Sequence, residues 1–182
     1  MIRIPTCESF DAFAEDLLEE RNVRPLIIVG ASKVDQLLFE ILASYLLPKL
    51  AKDKDSDELL EGDKPLSTFS ARTKMCYRLG LIDKTLYTAI EKLRALRNPS
   101  AHSIAFDHGK SPIRDHLADL RKQVAIRASF TFTKQRYFDN APLNAIEELQ
   151  CLLLTLCVLL EAIREKTTAT IGSKAALKIA SK

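Results

Sequence analysis

The sequence contains little of what tight chain reversals require. Only five of its 182 residues are glycine, and clusters of turn-forming residues are few, which leaves little room for β-hairpins. Hydrophobic residues make up 47% of the chain and charged residues 28%, proportions that are ordinary for a globular protein. A chain of this length suits one domain with a sizeable core. We therefore predict an all-α fold, a single bundle of about six or seven helices.

The sequence also lacks the patterns that mark metal sites, membrane spans and secretion. Its cysteines show no C-x-x-C pair and no histidine at zinc-finger spacing, so we interpret them as buried thiols of a cytosolic protein and predict no metal. The longest apolar run, Cys151 to Leu160, has ten residues, and a membrane span needs roughly 20. The acidic residues Glu8, Asp11 and Glu15 leave no apolar signal-peptide core. We therefore predict a cytoplasmic protein that does not associate with a membrane. The four cysteines are Cys7, Cys76, Cys151 and Cys157.

Common catalytic and DNA-reading motifs are missing as well. We find no glycine-rich phosphate loop, no H-E-x-x-H and no serine nucleophile elbow, and we predict no cofactor. No helix-turn-helix signature appears, so binding of nucleic acid by this chain alone is expected to be weak or indirect.

Charge is distributed unevenly. Residues 1–63 carry 7 Lys and Arg against 14 Asp and Glu, whereas residues 64–182 carry 20 against 10. The basic part can meet nucleic acid, and the acidic part can meet a basic partner or its own other half. Complementarity within the chain or between subunits is the interpretation we favour.

Helical spacing and capping residues divide the chain into elements. We predict a surface helix around Phe10–Leu18 and a long buried helix from about Pro25 to Leu50, in which the small residues Gly30 and Ser32 permit close approach of a neighbouring helix. A charged linker follows at residues 51–64. A third helix is capped by Ser67 or Ser70 and ends at Gly80, and Asp83 caps the fourth. Ser111-Pro112 starts a helix to about Arg127, and Pro142 opens the last long helix. We assign residues 1–166 to the bundle domain and residues 167–182 to a basic tail.

Two long helices are apolar on more faces than one core requires, which predicts a homodimer. The run Cys151–Leu160 is either central in the bundle or half of a subunit interface. Asp35 lies among apolar residues and needs a partner, for which Arg72 and Arg97 are candidates, unless it is solvated at a rim. Residues 129–138 begin with period-two alternation and interleave aromatics with cations. That pattern suits single-stranded nucleic acid, but we favour an extended connection that packs Phe130 and Phe132 on the bundle.

The sharpest chemical signal is the run Leu93-Arg-Ala-Leu-Arg-Asn-Pro-Ser-Ala-His102. Pro99 has no backbone N–H and pushes Asn98 out of helical angles, so we expect the helix to break there. In an unbroken helix residues five apart point about 140° away from each other, and the break would let Arg97 and His102 converge near the buried side. Arg97 is a fixed cation suited to phosphate, and His102 titrates near neutral pH.

Two resemblances meet in this part of the chain. The Arg-Asn-x-x-x-His pattern at residues 97–102 resembles the signature of HEPN domains, helical bundles found in many metal-independent ribonucleases, toxins and non-catalytic relatives. The run Pro65-Leu-Ser-Thr-Phe-Ser-Ala-Arg-Thr-Lys-Met-Cys-Tyr-Arg-Leu-Gly-Leu-Ile82, together with the next helix into Leu96-Arg97, resembles the mannitol operon repressor family. The second resemblance covers roughly Phe13 to Ile163 and implies an all-helical transcriptional regulator that lacks an obvious DNA-binding motif.

These resemblances leave three functional interpretations. The favoured one is a regulator that acts through protein partners, with Asp35, Arg72, Lys74 and Arg78 as candidate binding residues. The three cations in that set can bind phosphate groups, although such residues more often lie on a solvated face or pair with a neighbouring carboxylate. The alternative is a HEPN-type ribonuclease, with His102 as general acid or base, Arg97 stabilising charge on phosphate and Asn98 orienting either group. In the third, Arg97 pairs with an acid and His102 bonds a carbonyl. The pattern favours structural or regulatory use over catalysis.

Overall fold

A computed structural model gives the architecture of residues 8–46, 57–102, 107 and 109–171. Within those ranges the chain forms seven helices and no strand, which confirms the predicted all-α bundle. In chain order the helices are α1 (Glu8–Glu19), α2 (Val23–Tyr45), α3 (Phe69–Arg78), α4 (Lys84–His102), α5 (Ile113–Val124), α6 (Ala128–Phe138) and α7 (Ala145–Ile171).

The core is built on α2 and α7, which pack against each other more extensively than any other pair of helices. All residues of the run Cys151–Leu160 except Leu159 are buried, so the run is central in the bundle rather than half of a subunit interface. Gly30 is the point of closest approach, because a Cβ built on it would lie 2.8 Å from both Cδ atoms of Leu153. The small residue predicted to permit close packing therefore does so.

Helix α1 is held at its carboxyl end by a residue from the other end of the chain. Gln150 on α7 is 1% exposed, and its Nε2 lies 3.1 Å from Leu17 O, 2.9 Å from Leu18 O and 3.0 Å from Glu20 O. The last carbonyls of a helix have no partner within the helix. Here the side-chain amide of Gln150 is the hydrogen-bond donor for these carbonyls.

The two ends of α3 and the start of α4 follow local capping chemistry. Gly80 has φ +72°, and the bonds from Gly80 N to Tyr77 O and from Leu81 N to Cys76 O complete a Schellman stop. Asp83 caps α4 by accepting the Leu86 N–H at 2.7 Å. The predicted cap of α3 was wrong, since Thr68 rather than Ser67 or Ser70 accepts the Ala71 N–H.

Helix α4 does not break at Pro99, contrary to the prediction. The helix continues through the proline to His102, although an interior proline removes one backbone bond and costs about 3 kcal/mol. One bond within the helix and one from a neighbouring helix hold the turn beyond the proline. Ser100 Oγ donates to Leu96 O at 2.8 Å, and Arg24 Nε on α2 donates to Ser100 O at 2.7 Å, so the last turn is anchored to its neighbour.

Residues 128–138 form helix α6 rather than the predicted extended connection. The alternation at Phe130 and Phe132 covers too few residues to decide the structure, whereas Ser129, Thr133 and Tyr137 recur at helical spacing. Ser129 and Thr133 are buried, and Thr133 Oγ1 donates back to Ser129 O at 2.9 Å. Packing against α7 therefore overrides the local β preference.

The ends of the long helices differ from prediction. Helix α7 begins at Ala145 rather than Pro142, because Asn144 Oδ1 accepts the N–H groups of Ile146 and Glu147. It runs to Ile171, and residues 172–182 lie outside the described residues, so the division into a bundle domain and a basic tail stays a prediction. Helix α2 ends at Tyr45 rather than near Leu50. Residues 47–56, which include the first part of the predicted linker, are also outside the described residues.

Candidate functional site

The Arg97 motif lies on a continuous helix. Arg97 and Asn98 are exposed, while Leu93 and Leu96 are buried, so the prediction that Arg97 lies near the buried side was wrong. Arg97 lines a cavity of about 350 Å³ together with Asp35 and the start of α3. The side chain of His102 lies outside the described side chains. Since the helix does not break, the convergence expected from a break has no structural basis, and a catalytic role for Arg97, Asn98 and His102 stays a prediction.

Asp35 pairs with Arg72, one of its two predicted partners. Arg72 Nη1 lies 2.9 Å from Asp35 Oδ1, Nη2 donates to Leu60 O at 2.9 Å and Nε donates to Leu66 O at 3.0 Å. The guanidinium also lies 5.2 Å from the centre of the Phe39 ring. All of its nitrogens are thus engaged, and Arg72 joins α2, the turn before α3 and α3 itself. This is the arrangement of a structural clamp.

The other two predicted binding residues are exposed to solvent on α3. Lys74 and Arg78 are both exposed, and their spacing of four places them on one side of the helix. Within the described part of the chain neither forms an ion pair. Tyr77 lies between them in the sequence and is 38% exposed. Its ring centre is 4.8 Å from that of Tyr87 on α4, with the planes at 33°.

The contact between these two tilted rings brings the first turn of α4 next to this surface. Lys84 lies one turn before Tyr87, is exposed and has no ion pair among the described residues. We call the surface formed by Lys74, Tyr77, Arg78, Lys84 and Tyr87 the tyrosine face. Sequence reasoning found two of its members and missed three. The spacing of Lys74, Tyr77 and Arg78 can be read from the sequence, but the contact of the Tyr77 ring with Tyr87 is known only from the tertiary structure.

Positive charge predominates around the tyrosine face. Residues 64–97 contain eight Lys and Arg against two Asp and Glu, and two of the eight cations, Arg72 and Lys92, pair with Asp35 and Asp119 outside that segment. Both acids are already bound, Glu91 to Arg94 and Asp83 to Arg127. Burial works against the charged form of Asp83, but hydrogen bonds from the Leu86 N–H and Arg127 outweigh it and lower the pKa of that carboxyl. These acids therefore do not neutralise Lys74, Arg78 or Lys84.

A second open feature is an apolar groove of about 710 Å³ between α5 and the start of α7. Ile126, just beyond α5, is 77% exposed at its edge, and Arg121 pairs with Glu148 at 2.7 Å. We call this feature the α5–α7 groove. Its lining is formed by Val23, Leu117, Ala118, Arg121, Lys122, Ala125, Ile126, Ala145, Ile146, Glu148, Leu149 and Leu152.

The remaining chemistry-bearing groups do not form a reactive centre. Burial raises the pKa of the Cys76, Cys151 and Cys157 thiols to about 12, so these sulfurs stay protonated at neutral pH and are poor nucleophiles. Cys7 lies outside the described residues. Among the residues that are described, no His, Cys, Asp and Glu side chains group as a metal site would require. None of their helices combines the length and hydrophobicity of a membrane span.

The structure is an all-helical bundle with an exposed charged surface on α3 and α4 and an apolar groove between α5 and α7. The sequence pattern of the mannitol repressor family matches residues 11–167, and the chain belongs to that family. The mannitol operon repressor of Escherichia coli strain K12 is 34% identical over 106 residues, which are 53% of this chain and 52% of that protein. The mannitol operon repressor of E. coli O6:H1 gives the same values. The chain thus spans about half the length of the curated relatives it matches.

Two solved structures share the fold. A possible transcriptional regulator, YggD from Shigella flexneri, aligns with a TM-score of 0.57 and 17% identity over 86% of this chain and 97% of that one. A structure of the MtlR–HPr complex from Escherichia coli aligns with a TM-score of 0.61 and 22% identity over 87% of this chain and 99% of that one. At these identities the likeness establishes the bundle architecture.

Proposed function

We propose that the chain is a cytoplasmic transcriptional regulator of the mannitol repressor type that acts by binding a protein partner. The observation that carries this proposal is the family match over residues 11–167, supported by the identity to the mannitol operon repressor. A related fold has been seen in complex with HPr, which makes HPr the first partner to test. Exposed, unpaired cations beside a tyrosine are groups that commonly anchor protein interfaces.

Calorimetric titration of the purified chain with HPr is expected to give a saturable interaction with a Kd on the order of 10⁻⁶ M, the range of a transient regulatory contact. An acidic protein of similar size that is not a regulator serves as the control ligand. In cells, deletion of the chain is expected to raise expression from a mannitol-operon reporter. Absence of both HPr binding and a reporter change would overturn the proposed function.

We further propose that the chain forms a homodimer through the α5–α7 groove. The groove has Lys122 on its α5 side and Glu147 near its α7 side, in addition to the Arg121–Glu148 ion pair that links the two helices within the chain. A two-fold axis would set α5 of one copy against α7 of the other, so that Lys122 and Glu147 of different copies face each other. The exposed Ile126 side chain of one copy would then insert into the apolar groove of the other.

Ile126→Asp is expected to convert a dimer into a monomer near 20.4 kDa, because the charged side chain would lie in a buried apolar contact. Light scattering over a range of concentrations measures the change. Val29→Asp is the matched control, since Val29 is also an exposed apolar residue, at 44%, but lies on α2. A wild type that is monomeric at all concentrations, or equal effects of the two variants, would contradict the proposed interface.

The ribonuclease alternative has no specific observation in its favour. Its geometric premise was the break at Pro99, and α4 is continuous there. We therefore propose no catalytic activity.

A further inference from the structure

The cavity beside Arg97 is lined by two side chains of opposite charge that do not pair with each other. Asp35 on α2 and Arg97 on α4 both line this space of about 350 Å³, together with residues at the start of α3. Arg72 Nη1 holds Asp35 Oδ1 at 2.9 Å, whereas Arg97 forms no ion pair with any described residue. The cavity therefore separates a carboxylate that is held in place from a cation that has no partner in the described part of the chain.

The hydrogen-bonding capacity of the lining is only partly used. A carboxylate can accept about four hydrogen bonds, and Asp35 Oδ2 accepts none from the described residues. The hydroxyl of Ser67 likewise has no hydrogen-bond partner among them, and that of Ser32 donates to Ile28 O at 2.8 Å, so its oxygen can still accept. Water can satisfy such groups in an open cavity, and a polar ligand that reproduces those hydrogen bonds can replace the water.

The arrangement fits a ligand with an anionic group and several hydroxyl groups. A guanidinium such as that of Arg97 binds phosphate through two parallel hydrogen bonds. The carboxylate of Asp35 accepts hydrogen bonds from hydroxyl groups but donates none. A simple anion would leave Asp35 facing a second negative charge, and an uncharged sugar would leave Arg97 unused. A phosphorylated sugar or polyol uses both side chains.

An amino acid fits the same lining less well. Its carboxylate could meet Arg97, and its ammonium group would then have to meet Asp35. The charge of Asp35 is already compensated by Arg72, so an ammonium group brought to that pair would also be repelled by the guanidinium. A hydroxyl group carries no such penalty. The volume lies near the lower end of the range for small-molecule sites, roughly 300–1,000 Å³, which suits a ligand of monosaccharide size.

We infer that the cavity between α2, α3 and α4 binds a small phosphorylated sugar or polyol. Arg97 binds the phosphate group, and Asp35 and Ser67 bind hydroxyl groups. Arg72 is a positioning residue, because it holds the Asp35 carboxylate at the cavity wall. The inference goes beyond the proposed function and requires no protein partner, so the two can fail independently.

The test titrates the full chain, labelled with ¹⁵N, with five probes: glucose 6-phosphate, mannitol 1-phosphate, mannitol, inorganic phosphate and L-serine. The better of the two phosphate esters is expected to bind with a Kd on the order of 10⁻⁵ M. It should shift the amides of residues 31–35, 67–69 and 96–98. Mannitol and inorganic phosphate each carry only part of the recognised groups, so they are expected to bind at least about tenfold more weakly.

Two variants separate the two halves of the site. Arg97→Gln is expected to weaken the ester on the order of 30-fold and to abolish binding of inorganic phosphate. Asp35→Asn is expected to weaken the ester on the order of tenfold without weakening inorganic phosphate. Its amide oxygen can still accept from Arg72, but its amide nitrogen cannot accept from a hydroxyl group.

Arg78→Gln is the matched control, because it makes the same change in net charge as Arg97→Gln at another exposed position. It is expected to change the affinity for the ester by less than about twofold. Thermal melts confirm that each variant is folded, and mapping on the wild type does not depend on any variant.

Four results would overturn the inference. They are the absence of binding of both esters up to about 10 mM, amide shifts centred outside the cavity, equal losses in Arg97→Gln and Arg78→Gln, and equal affinity for the esters and inorganic phosphate. The last result would mean that Asp35 and Ser67 recognise no hydroxyl group. Tighter binding of L-serine than of either ester would replace the phosphorylated ligand with an amino acid.

Discussion

Arg72→Ala is expected to lower the free energy of unfolding by about 3 kcal/mol. The substitution leaves the Asp35 carboxylate without its cation and removes the donors to Leu60 O and Leu66 O. Breaking a fully buried ion pair costs roughly 3–5 kcal/mol, and the 29% exposure of the Asp35 side chain places this pair at the lower end of that range. Urea denaturation followed by circular dichroism gives the measurement.

Lys74→Ala provides a control on the same helix, two residues away. Because Lys74 is exposed and has no ion pair in the described part of the chain, its loss should change stability by less than about 0.5 kcal/mol. Asp35→Asn should fall between the two, since the amide oxygen can still accept a hydrogen bond from Arg72. A loss at Arg72→Ala no larger than that at Lys74→Ala would mean that the network does not stabilise the fold.

Gly30→Val is expected to destabilise the protein by about 3 kcal/mol, the upper part of the range for overpacking a core. Even the first carbon of the new side chain would lie 2.8 Å from both Cδ atoms of Leu153. Leu153 is completely buried, so displacing its side chain requires its neighbours in the close-packed core to shift as well. Ser32→Val, at an exposed position two residues further along α2, should have little effect.

The steric origin can be tested with the double variant Gly30→Val/Leu153→Ala. Leu153→Ala alone should cost roughly 2–5 kcal/mol, because it leaves a cavity. In the double variant the valine occupies part of that cavity, so the total loss should be smaller than the sum of the single losses by about 2 kcal/mol. Simple additivity would show that the two side chains do not compete for the same space.

The features that sequence predicted well are those set by local pattern. The apolar circumference of α2 and the run Cys151–Leu160 identified the two central helices, because a helix that is apolar on every side must be buried. Gly80 and Asp83 were identified as end signals because capping chemistry depends on residues within one turn. The small size of Gly30 gave the close approach of α2, although only the structure identifies Leu153 as its neighbour.

The errors arise where contacts distant in sequence override local preference. Pro99 is a strong local signal for a break, yet the bond from Arg24 to Ser100 O anchors the turn beyond it. The alternation in residues 129–133 was a weak strand signal that packing on α7 overrides. Asp35 had two plausible partners in sequence, and the geometry selects Arg72. The tyrosine face could not be assembled beforehand, since it depends on the approach of Tyr87 to Tyr77.

Gln150 has a consequence for the order in which the bundle is completed during synthesis. Helix α1 leaves the ribosome before α7, but its carboxyl end is bonded by an amide more than 130 residues later in the chain. Short helices are marginally stable in isolation, and domains form as their residues emerge. The last carbonyls of α1 therefore gain these hydrogen bonds only after α7 has been made. In the finished protein these carbonyls depend on that late contact, so a local separation of α1 from α7 would leave all of them without their donor at once.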